Sequence, residues 1–202
     1  MNKKLIAFLA VAAMGVAVAG ATPQTTYHQG ETQVNLGYSN IQGEAGSYNT
    51  QHKGNFNGGI QYGLSDKAAL EYNYSGLNAK VGDATFSNRM HEVNVIRPIN
   101  KNFAAYAGYA NIGGDAFASN NNIAQLGLIA KTPIGGADSP VEAYAKGAVG
   151  TKNTSFWEAG LGYKATQDLD INAGYKQLNT ENGEDSSVTF KGFTAGASYR
   201  FQ

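Results

Sequence analysis

The sequence offers little to acid–base or nucleophilic chemistry: no cysteine, and only the three histidines His28, His52 and His91. A catalytic centre needs a nucleophile or activated water beside a positioned base. His52 with Asp83 or Asp115 is the one pairing that loops could bring together, and no motif joins them, so no enzyme is expected. The run NTENGEDSS from Asn179 lacks the ligand spacing of a calcium loop, so neither metal nor cofactor is expected. What stands out instead is a set of charged residues in alternation with apolar ones. Glu71, Glu92, Glu142, Glu158 and Asp170 oppose Lys131, Lys146, Lys164, Lys176 and Arg200. With equal numbers of each sign, such a face can lie in an enclosed interior where charges pair or meet water.

The elements that would carry them are strands. VNLGYSNI from Val34 recurs as LEYNYSGL from Leu70, AYAGYANI from Ala105 and INAGYKQL from Ile171. Each copy has tyrosine at its fifth position and Leu or Ile at its eighth: Tyr38 and Ile41, Tyr74 and Leu77, Tyr109 and Ile112, Tyr175 and Leu178. VEAYAKGAV from Val141 is a weaker copy without that tyrosine. Between the copies, segments near 55–64, 91–97, 122–131, 155–164 and 190–201 alternate in the same way, and a period of two has no helical reading. The fold class predicted is all-β, a transmembrane antiparallel up-and-down β-barrel of ten strands, or eight if the copy at Val141 and the short GTKNT connection at 150–154 are misread. Tight turns at 64–67, 98–101 and 165–168 with the longer 132–140 mark one end. Longer polar loops at 42–53, 78–88, 113–121 and 179–187 mark the other.

The apolar face argues for lipid. Tyr38, Phe56, Tyr74, Tyr109, Trp157, Tyr175 and Phe193 fall on the loop side, and Tyr62, Phe103, Tyr163, Tyr199 and Phe201 on the turn side, with aliphatic residues between. Two aromatic belts around an aliphatic band suit a bilayer with two polar interfaces. A secreted sandwich or lipocalin-like barrel would turn the apolar face inward and leave the charged face to water. Mean hydropathy of −0.33 is compatible with a membrane barrel, which need be apolar only on alternate residues. With 15 basic and 15 acidic residues, nucleic acid is not an expected partner.

The first residues, MNKKLIAFLAVAAMGVAVAGA, have the charged, apolar and small-residue parts of a secretory signal peptide. Domain 1–21 is expected to be removed by cleavage after Ala21, or after Ala19, leaving 22–202 as the barrel domain. Without cysteine, that exported domain must be held by packing and backbone pairing.

TAGASYRF at 194–201, with Gly196, Tyr199 and Phe201, resembles the C-terminal signal by which outer-membrane barrels are recognised by their assembly machinery; Gln202 after the last aromatic departs from that pattern. Over 22–202 the chain looks like a small bacterial outer-membrane β-barrel protein, porin-like and OmpA/OmpX-like, with a weaker similarity to the YfaZ family. The resemblance implies a bacterial outer-membrane location, outer-membrane lipid and lipopolysaccharide as surroundings, and the barrel-assembly machinery as a partner during biogenesis.

Many positions on the polar face are glycine: Gly37, Gly59, Gly63, Gly108, Gly127, Gly160, Gly162, Gly174, Gly192 and Gly196. If they leave volume, the expectation is a narrow passage for ions or very small solutes. If they only relieve crowding, the alternative is a non-conducting surface barrel whose loops, with Tyr48, His52, Phe86, Phe117, Glu181, Glu184 and Asp185, mediate adhesion or partner binding.

Overall fold

The computed structural model describes residues 22–182 and 186–201. The expected signal peptide, Glu184, Asp185 and Gln202 lie outside the described residues.

Alternation of apolar and polar side chains sets the architecture. The strands are β1 (Thr32–Ala45), β2 (Tyr48–Asn49), β3 (Lys53–Ser65), β4 (Ala68–Gly76), β5 (Ala79–Val81), β6 (Ala84–Phe86), β7 (Asn88–Pro98), β8 (Phe103–Gly114), β9 (Asn121–Pro133), β10 (Val141–Gly150), β11 (Thr154–Lys164), β12 (Leu169–Glu181) and β13 (Ser187–Phe201). Ten of them, all but β2, β5 and β6, pair antiparallel with their neighbours in sequence order. The sheet closes because β13 pairs with β1 from Thr32↔Phe201 to Ala45↔Val188. Closure leaves no unpaired barrel edge, as a bilayer requires of a spanning sheet. The weak copy at Val141 is a full strand, so the count is ten rather than eight.

Strand register fixes the faces. In β1, Gln33, Asn35, Gly37, Ser39 and Ile41 are buried, whereas Val34, Leu36 and Tyr38 are half-buried or exposed. A one-residue slip would exchange the two sets. The strands also outrun their expected limits. β1 continues to Ala45, and residues 78–88 fold into the β5–β6 hairpin, tied to the first loop by a bridge between Gln51 and Lys80. The short connection after β10 turns through Lys152 and Asn153, both at positive φ (58° and 47°), the left-handed geometry favoured in tight hairpins.

Candidate functional site

The barrel interior gathers the charged residues. At mid-height, Lys146 Nζ lies 3.0 Å from Glu71 Oε1. Asn94 Nδ2 donates to the same oxygen at 3.0 Å, and Gln61 Nε2 donates to the other. Lys146 also lies 4.9 Å from the centre of the Tyr106 ring. Gln125 Nε2 donates to Glu92 Oε1 and to Asn94 Oδ1, both at 2.9 Å. Tyr144 OH donates to Glu158 Oε1 at 3.0 Å, and Lys176 Nζ to Asn57 Oδ1 at 3.1 Å. Cross-strand register places Glu158 between Lys146 and Lys176. Nearer the turns, Glu142 accepts both Lys131 (3.3 Å) and Lys164 (2.8 Å), and Asp170 meets Arg200 at 3.3 Å. A buried ion without partners costs several kcal/mol, at about that order per group; here every one of the ten charges has a polar or charged partner. Lys164 is the most exposed, its side chain 40% accessible at the mouth.

Above this polar layer the interior turns apolar. Ile41, Leu77, Met90, Ala110, Ile112, Phe117, Ile123, Leu178, Val188 and Phe190 form one buried cluster across the loop end. Four of them are the eighth-position residues of the repeat. Ile41 accordingly points inward from within β1. Phe117, expected as an exposed loop aromatic, stacks on Phe190 with ring centres 6.3 Å apart. The sequence carried the signal for this layer. Positions one, three and five of each copy share a face, and position eight has the opposite parity.

The turn end is closed by a segment with no periodic pattern, residues 22–31. Thr22, Gln24, Thr25 and Tyr27 are all buried. Tyr27 packs with Ala69, Ile96, Ala104, Tyr106 and Ile129 in a second apolar cluster. Its hydroxyl donates to the carbonyl of Gln24 at 2.8 Å. Burial, followed by the charge of Glu71, pushes the phenol well above the usual tyrosine range. Gln24 Nε2 donates to Gln33 Oε1 at 2.9 Å, and Thr25 Oγ1 to the carbonyl of Lys101 at 2.7 Å. Backbone bonds of 2.8 Å link Gly63 to Gly30 and Glu31. Between the two closures, a cavity of about 70 Å³ touches Asn57, Glu71, Glu158 and Lys176.

The inward glycines hold less open volume than their small size implies. The Tyr106 ring lies directly over Gly127, where a methyl group would also strike the carbonyl of Gly147. A methyl on Gly160 or Gly174 would come within 2.7 Å of the Tyr144 hydroxyl, and one on Gly162 within 2.9 Å of Thr22. Glycine facing an aromatic ring is a packing device of curved sheets. Tyr106 and Tyr144 were not singled out in the sequence, although both sit in phase with the polar residues. In the weak copy the tyrosine has moved by one position, and it accordingly points inward.

On the outer face Tyr38, Phe56, Tyr62, Phe103, Tyr109, Trp157, Tyr163 and Phe193 are exposed, and Tyr74, Tyr175 and Phe201 are half-buried. Tyr199 shares their parity but is 7% exposed, packed edge-on against Phe201 with ring centres 4.8 Å apart. On the loop side Tyr175 contacts Trp157 (5.7 Å) and Phe193 (5.2 Å), and Phe56 approaches Tyr74 (6.5 Å). Gly196, between Asn172 and Gly37 in the ladders, completes the strand that bears Tyr199 and Phe201.

In the loops, Asp115 Oδ2 accepts the Ser87 backbone N–H at 2.8 Å. Among the described residues no hydrogen bond or ion pair joins His52 to Asp83 or Asp115, and no group of three or more His, Asp or Glu gathers where it could hold a metal.

A closed ten-stranded sheet, apolar outside and charged inside, defines a transmembrane β-barrel of the outer-membrane type. The chain belongs to the outer membrane protein beta-barrel domain family, whose model matches residues 6–201. It is accordingly an outer-membrane protein. No curated protein matches the sequence. Solved structures share the fold: the outer membrane protease OmpT of Escherichia coli at 10% identity, covering 89% of this chain and 99% of that one with a TM-score of 0.50. Ail, the attachment invasion locus protein of Yersinia pestis, is 16% identical over 86% of this chain and 99% of its own, TM-score 0.47. Neisserial surface protein A is 14% identical over 86% and 100%, TM-score 0.47.

Proposed function

We propose that the protein is a non-conducting outer-membrane barrel that holds a structured platform of hairpins and loops at the cell surface for contact with a partner. The observation that carries this reading is the double closure of the interior. A passage for ions needs a continuous wet path, whereas the Ile41–Phe190 layer and the Tyr27 segment leave a cavity of about 70 Å³ between them. A buried water needs roughly 10–15 Å³ in the same measure, so the cavity has room for a few waters and not for a column of them. Part of this platform is backbone-paired, β5 with β6 and Gln51 with Lys80. The β5–β6 hairpin stands beside the end of β1, and Tyr48, Val81 and Phe86 are exposed there. Exposed apolar side chains on an ordered loop surface are the usual material of a contact site.

Planar-bilayer recording on the refolded chain from Thr22 onward tests the first half: no single-channel steps are expected, and regular steps would overturn it. Replacing residues 79–86 by a short Gly-Ser link tests the second. The variant should keep the barrel's boiled-versus-unboiled gel shift while whole cells displaying it lose surface attachment; unchanged attachment would exclude this hairpin as the platform.

A further inference from the structure

The turn end contains a second cavity, of about 540 Å³, between residues 24–26, the turns that follow β7 and β9, and the ends of β9, β10, β11 and β13. Its size falls within the range of small-ligand pockets, about 300–1,000 Å³. Its walls carry Lys101, Lys131, Lys164 and Arg200 against the single carboxylate of Glu142, with Asp170 behind Arg200. Asp138 and Asp168 stand on the flanking turns and do not line it.

The charges there do not balance. Lys131 and Lys164 share Glu142, at 3.3 and 2.8 Å, and Lys131 keeps only 10% of its side-chain surface. Arg200 meets Asp170 at 3.3 Å, yet its Nε is buried with no hydrogen-bond partner. Lys101 has no side-chain partner among the described residues. Four cations over two carboxylates leave these six groups at +2. Like charges held together beside a low-dielectric wall repel, and an incoming anion relieves that cost while charge-assisted hydrogen bonds hold it. Thr26 and Thr132 add hydroxyl donors on the same wall.

We propose that this turn-side vestibule binds a small multivalent oxyanion, carrying phosphate or carboxylate groups, which bridges Lys101, Lys164 and Arg200. The site is independent of whether the barrel conducts, because it lies on the turn side of the Tyr27 closure.

Isothermal titration on the refolded chain in phosphatidylcholine nanodiscs, whose lipid supplies no net anion, tests this with inorganic pyrophosphate, inorganic phosphate and glutarate as probes. One saturable site is expected, weakening as salt rises. Pyrophosphate binding tighter than glutarate would assign phosphate as the natural group, and the reverse order carboxylate. Lys101→Gln and Lys164→Gln should each weaken binding about tenfold, the worth of one charge-assisted bond of roughly 1.4 kcal/mol. Lys152→Gln, on the loop side, should leave it unchanged. Lys101 is on an exposed turn, so its variant keeps the test valid even if Lys164→Gln folds poorly. No saturable binding of any probe, or full affinity in Lys101→Gln, would overturn the proposal.

Discussion

Truncating Ile112 probes the loop-end closure directly. Its side chain is fully buried, Met90 and Asn121 oppose it across the ladders, and it belongs to the apolar layer with Phe117, Ile123 and Phe190. Large-to-small changes at such sites cost about 2–5 kcal/mol, the transfer loss plus the cavity left behind. Ile112→Ala is therefore expected to destabilise the barrel by about 3 kcal/mol. With a urea slope of about 2 kcal/mol/M for a chain of this size, the unfolding midpoint should fall by about 1.5 M, read by tryptophan fluorescence of refolding and unfolding in the same lipid vesicles. Ile112→Asn should cost at least as much, because it adds the desolvation of a buried amide to the loss of apolar contact. If the loop end were a water-filled mouth, both variants would behave as surface substitutions, within about 0.5 kcal/mol of the parent. That result would refute the dry closure, and with it the argument against a passage.

Two further predictions concern the interior. Gly127→Ala should destabilise by about 1–3 kcal/mol because the added methyl meets the Tyr106 ring and a backbone carbonyl; a double-mutant cycle with Tyr106→Ala should return a favourable coupling energy, and strict additivity would contradict the contact. Glu71→Gln removes the counter-charge of buried Lys146 and should cost about 3–5 kcal/mol in urea unfolding, whereas Glu71→Gln with Lys146→Met should recover most of it; a double variant as unstable as the single one would show that Lys146 does not depend on Glu71.

Several features were legible in residue order because side-chain parity in a strand is local. Val34, Leu36 and Tyr38 face one way whatever surrounds them, and the charged residues from Glu71 to Arg200 fall on the other face. The spacing of the copies likewise carried the strand count, and the balance of charge separated an enclosed polar face from a wetted one. Position eight of the repeat was equally local, yet its meaning was not. Ile41, Leu77, Ile112 and Leu178 break the polar face at one height, and a layer exists only when strands distant in sequence bring them level. The segment around Tyr27 left no pattern to read, since a plug is held by shape and isolated hydrogen bonds rather than by periodicity. Nor did the inward glycines announce what lies over them. Alternation along the chain determined a membrane barrel with a charged interior. Closure of β13 on β1 decided the rest, because only a closed sheet of fixed register sets which glycine lies beneath Tyr106, which lysine reaches Glu71, and which side chains meet in the apolar layer at the loop end.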